Sequence, residues 1–136
     1  MRAIAAVLLL IALMPFAVAD DAAPAAADAA AAPVIFKGTR GLAPVQVVYD
    51  YLKDRIADEH GLADYQSLAI RQQAKGEAGE QVQMEVVLAG LKDDAVASQR
   101  YQLGLVLADS GWDINSARQD WKCRRGGKGW TTKPCK

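Results

Sequence analysis

The only two cysteines of the 136-residue chain, Cys123 and Cys135, bracket the segment RRGGKGWTTKP, which holds four cations, one aromatic ring and no acid. In an exported chain such a pair reads as a disulfide, and three enclosed glycines let the backbone reverse. Closing a loop of this size contributes about 3 kcal/mol in the chain-entropy model. A loop already restrained loses less entropy when it meets a partner. Arg124 and Arg125 suit phosphate oxygens in a forked geometry. Lys128 and Lys133 add charge, and the amphipathic ring of Trp130 suits a lipid headgroup zone or a protein pocket. Arg124, Arg125, Lys128, Trp130 and Lys133 are therefore the candidates for holding an anionic partner; a strap with no binding role is the competing reading.

Other chemistry finds little support. The single histidine, His60, stands at a helix end, where an imidazole serves the last carbonyls. Without a second histidine, a free thiol or a C-x-x-C pair there is no zinc set. Asp93-Asp94 and Asp58-Glu59 are adjacent carboxylates that point apart, and read as turn and solvated-face residues. "RRGGKG" has glycines and a lysine but no strand–loop–helix setting for a phosphate loop. No enzyme, metal or cofactor is expected.

Charge is segregated along the chain. From residue 118 onward seven Lys/Arg stand against one Asp, whereas residues 20–117 carry eight basic and fifteen acidic side chains. Such asymmetry favours a field-driven contact at one end of the molecule.

Two N-terminal segments precede the domain. Arg2, the apolar run 3–16 and the small residues Ala17-Val18-Ala19 have the layout of a secretory signal peptide (1–19) cleaved near Ala19. The run is shorter than the roughly 20 apolar residues that span a bilayer, so the mature chain is expected to have no transmembrane span. Residues 20–33, rich in Ala, Pro and Asp, bury too little to offset the entropy of ordering, and read as a disordered linker. One α+β domain, 34–136, remains, with the basic tail at 121–136. Periplasmic or secreted placement follows, and points to an anionic envelope component or an acidic protein as partner, not to nucleic acid.

The elements that position the tail follow from periodicity. Pro44 suits a first helical turn, and Val45, Val48, Tyr49, Leu52 and Ile56 recur at helical spacing, predicting a helix over 44–60 with Gly61 as its left-handed stop. The period then changes to 2: runs around Leu68–Ile70, Val82–Leu88, Tyr101–Leu107 and Trp112–Ile114 predict four half-buried antiparallel strands. The connecting turns set Ile70 opposite Val86, Arg71 opposite Glu85, Val86 opposite Tyr101 and Leu107 opposite Trp112, each keeping apolar against apolar or acid against base. Trp121 has the wrong parity for the core unless a bulge near Ser116-Ala117 restores it; otherwise it marks an outer sheet face suited to a homodimer.

One helix on a four-stranded antiparallel meander, residues 44–122, resembles the cystatin-like and NTF2-like helix-on-sheet domains. The W-x-C-x(11)-C ending resembles that of small exported bacterial proteins. The resemblance rests on element order and carries no functional residue across. It implies an opening between helix and sheet, for which Tyr49, His60, Tyr65 and Arg118 are the lining candidates. The leading expectation is thus a non-enzymatic exported binding or accessory domain working through its basic loop. The alternatives are an NTF2-like small-molecule carrier and an inhibitor that inserts loop 123–135 into a secreted hydrolase.

Overall fold

A computed structural model describes residues 33–61 and 63–136. The expected signal peptide (1–19) and all but the last residue of the expected linker (20–33) lie outside the described residues. The elements are β1 (Phe36–Lys37), α1 (Pro44–Ile56), β2 (Ser67–Lys75), β3 (Gln81–Ala89), β4 (Val96–Ala108) and β5 (Gly111–Cys123). They form one antiparallel sheet in the order β1-β5-β4-β3-β2 with α1 on one face. The α+β class is as expected, but the sheet has five strands, not four. The added β1 is two residues long, too short to show any period. It is held on β5 by Phe36↔Ile114 pairing and by the buried Asp113 carboxylate, which accepts the Gly38 N–H at 3.1 Å.

Helix α1 starts at Pro44, and the Gln46 side-chain carbonyl accepts the Ala43 N–H at 2.8 Å, occupying a donor just outside the first turn. It ends at Ile56 rather than residue 60. The Asp58 carboxylate accepts the His60 N–H at 2.8 Å, and this local turn outcompetes another helical turn. Gly61 does adopt a left-handed conformation (φ 76°), but beyond the helix. The buried stripe is Pro44, Val47, Val48, Leu52 and Ile56, while Val45 and Tyr49 face water. Three valines within four positions leave the helical phase ambiguous by itself, and packing against β3 and β5 selects the Val47 side.

All three hairpin registers fall as read: Ile70↔Val86, Arg71↔Glu85, Val86↔Tyr101 and Leu107↔Trp112. Val82, Met84, Val86 and Leu88 of β3 and Tyr101, Leu103 and Leu105 of β4 close the core under the helix. Strand β2 differs from expectation, because all nine of its residues are exposed. A helix about 10 Å wide spans two or three strands spaced about 4.8 Å apart. Here it lies over β3 to β5 and leaves β2 outside its cover.

The register of β4 against β5 steps from Leu105↔Ile114 to Gly104↔Ser116, so Asn115 is the extra residue of a bulge. It lies one position before the expected place and has the expected effect. Trp121, opposite Gln99, returns to the helix side of the sheet, half-buried. The residues between alternate accordingly, and Arg118 and Asp120 pass to the outer face.

Candidate functional site: the outer sheet face and the disulfide loop

Past β5 the chain makes a bridged return. Cys123 and Cys135 are bonded, with Cα atoms 5.5 Å apart. Within that ring Thr131 pairs antiparallel with Trp121, through Trp121 N–H to Thr131 C=O at 2.8 Å and the reverse bond at 2.9 Å. The Arg124 N–H donates to the Ala95 carbonyl at 2.9 Å. Its guanidinium donates to the carbonyls of Asp93 at 2.7 Å and Leu91 at 2.5 Å. The loop is thus fixed by a covalent bond, by a short β-bridge and by an arginine clamp on the β3–β4 turn.

This separates the five predicted anion-binding residues. Arg124 is spent on backbone carbonyls and acts inside the molecule. Arg125, Lys128 and Lys133 are exposed and have no ion-pair partner among the described residues. Trp130 stacks on Arg100, whose guanidinium carbon lies 4.6 Å from the ring centroid, and keeps 38% of its surface exposed.

Arg100 leads from the loop to the outer sheet face. It donates to Asp120 (Nη2–Oδ2 2.6 Å) and approaches Glu85 at 3.5 Å; Glu85 also meets Arg71 at 3.0 Å. On the far side Arg118 reaches Asp120 at 3.2 Å and donates to the Gln102 side-chain carbonyl. A charge ladder thereby runs Arg71–Glu85–Arg100–Asp120–Arg118 across β2 to β5. Asp120 is only 2% exposed and is neutralised by two arginines. Arg118 and Lys122 remain largely exposed on the same face as Trp130. Beside the ladder lies a concavity of about 480 Å³ lined chiefly by Arg71, Gln73, Lys75, Gln83, Glu85 and Gln102. A second, smaller hollow lies over Gly104, where the Ser116 hydroxyl packs so close to the backbone that a side chain would collide with it.

The four candidates for a helix–sheet opening do not come together. Tyr49 lies on the solvent side of α1, in a shallow hollow with Leu42, Val45, Gln46 and Asp50. His60 is exposed in the turn after the helix, near Asp58 and Glu59 at 3.9 and 3.8 Å. Tyr65 packs against the core rim, and Arg118 stands on the opposite face of the sheet. The space between helix and sheet is filled by Val47, Val48, Leu52 and Ile56 against β3 and β4. At its end the Tyr101 hydroxyl lies 3.3 Å from both Gln99 and Gln119 side chains, and burial raises its pKa. Among the described residues no three His, Cys, Asp or Glu side chains group to hold a metal ion.

The residues missed by periodicity are Arg100, Glu85 as its partner, and Asp120. Outward parity on β3 and β4 was the available signal, but the β5 contribution depends on the bulge.

Asp93 ties the clamp to pH. Its carboxylate accepts the Val96 N–H at 2.6 Å and the Ala95 N–H at 2.8 Å. These bonds, with the nearby Arg124 charge, hold its pKa below the ordinary 3.8. Because the folded value is depressed, the associated stabilisation is present above pH 3.8 and is lost as pH falls through the folded value. A carboxyl titration followed by NMR is expected to place the Asp93 midpoint below 3.8, and Arg124→Ala to raise it only in part, since both N–H donors stay. A midpoint at or above the ordinary value would contradict the turn geometry.

No helix among the described residues is long and apolar enough to cross a membrane. The chain matches no protein-family model, no curated protein and no solved structure, so the fold and the site stand on their own geometry.

Proposed function

We propose that the mature chain is an exported, non-catalytic binding domain whose disulfide loop, with exposed cations of the outer sheet face, meets an anionic component of the cell envelope. The observation that carries this reading is the contrast within the loop. Arg124 is consumed in holding the loop still, while Arg125, Lys128 and Lys133 stand exposed without counter-ions among the described residues. A loop fixed in three ways has little left to order on binding, so its charges act at small entropic cost. Arg118 and Lys122 extend the same field across the sheet, and the half-exposed Trp130 ring supplies an apolar contact beside it. Export rests on the leader-like first nineteen residues, and the cystatin-like or NTF2-like architecture on element order alone.

The expected result is retention on vesicles containing anionic phospholipid at low salt and none on neutral vesicles. Retention should fall as salt shortens the screening length from about 30 Å at 0.01 M to about 8 Å at 0.15 M. Each surface cation contributes about 1 kcal/mol at an anionic membrane, so changing Arg125, Lys128 and Lys133 together to Ala should weaken binding roughly 100-fold. Equal retention by that variant, or no retention by the parent at low salt, removes the proposal.

A further inference from the structure

We infer that the chain forms a two-fold homodimer by antiparallel pairing of β2 with β2 of a second copy. Among the described residues β2 ends the sheet, and one of its edges has no strand beside it. It is nine residues long, has no proline, and is exposed along its whole length. Long uncovered edges of this kind are templates for another strand. On the helix side it also presents Leu68 and Ile70, 36% and 38% exposed, next to the buried Leu88 and Val86. The apolar layer of the sheet therefore continues one strand beyond the helix that covers it.

The strand's own sequence selects a second copy and a register. A two-fold perpendicular to the sheet keeps helix side with helix side only if the paired residue numbers have an even sum. Centring on Arg71 sets like charges directly opposite each other, which is destabilising. Centring on Ile70 leaves both Leu68 side chains opposite Gln72, and centring on Gln72 leaves each Ile70 opposite Ala74. Centring on Ala69 sets Leu68 opposite Ile70 of the partner twice, and Arg71 opposite Ser67. That register alone sets Leu68 and Ile70, the large apolar side chains of the uncovered face, against each other, over a strand length typical of sheets. It joins two sheets into one of ten strands, with both helices on the same side and the two cationic loops at opposite ends.

The inference is independent of any anionic partner, and its test uses only the mature chain. Sedimentation of the protein is expected to show a concentration-dependent dimer. Leu68→Lys and Ile70→Lys, at exposed positions outside the core, should each weaken it at least about tenfold, since two apolar contacts are replaced by charge. The register is read by cysteine pairing. Residues opposite each other lie about 4.5–5.5 Å apart at Cα, within disulfide reach. Ala69→Cys, next to the two-fold, should therefore cross-link the dimer under mild oxidation, while Lys75→Cys should not. A protein that stays monomeric to millimolar concentration, or a dimer unaffected by both lysine variants, overturns the inference; cross-linking through Lys75→Cys but not Ala69→Cys overturns the register.

Discussion

Replacing Asp120 by alanine is expected to destabilise the domain by about 3 kcal/mol, at the lower end of the range for breaking a buried ion pair. The reason is what the substitution leaves behind. Asp120 is 2% exposed and Arg100 only 18%, and the pair is closed over by the Trp130 ring. Without the carboxylate, the Arg100 guanidinium keeps only the longer Glu85 contact at 3.5 Å as a counter-charge, and Arg118 loses its pairing with Asp120. For a domain of about 100 residues this corresponds to a melting temperature lower by roughly 12–24 °C. Arg71→Ala supplies the contrast. The Arg71–Glu85 pair has the same kind of geometry, but its arginine side chain is 76% exposed. Exposed pairs contribute about 0–1 kcal/mol, so that variant should melt close to the parent. Equal effects of the two substitutions would mean that burial does not set the worth of this ladder.

Changing Cys123 and Cys135 together to serine should cost about 3 kcal/mol of stability, because the unfolded chain regains the freedom of a 12-residue closure. The native strand pairing at Trp121↔Thr131 and the Arg124 clamp survive the change chemically, so the sheet should remain folded. Loop order should not. Beyond the Trp121↔Thr131 bridge the disulfide ties the chain back to β5, and without that tie the Trp130–Arg100 stack should loosen and its fluorescence shift towards that of a solvated indole. Affinity for anionic vesicles should fall with the loss of pre-organisation even though no cation is removed. A serine variant that melts with the parent and binds equally well would show the loop to be self-supporting.

Much of this architecture was legible from residue order, and the exceptions share causes. The three hairpin registers could be read because a one-residue slip would turn a whole strand inside out, as at Ile70↔Val86 and Val86↔Tyr101. The disulfide could be read because only two cysteines exist. Alternation in β2 says which face Leu68 and Ile70 take, but whether a helix reaches that face is a matter of helix width, so its exposure was hidden. Two residues of β1 carry no period at all. The misplacement of Arg118 and the ambiguity of Trp121 both trace to Asn115, since one extra residue exchanges the faces of everything after it. Within the loop, sequence weighed all four cations alike. That Arg124 is a clamp and not a ligand depends on the Leu91 and Asp93 carbonyls, some thirty residues away.

The most direct test of the proposed binding surface is an NMR titration of the oxidised mature protein with small bicelles carrying anionic phospholipid. Amide and indole signals of Arg125, Lys128, Trp130 and Lys133 should move, with Arg118 and Lys122 of the outer face, while Tyr49, Asp54 and other solvent-side residues of α1 stay still. Perturbation centred on α1, or none in the loop under conditions where the protein is bound, would contradict it.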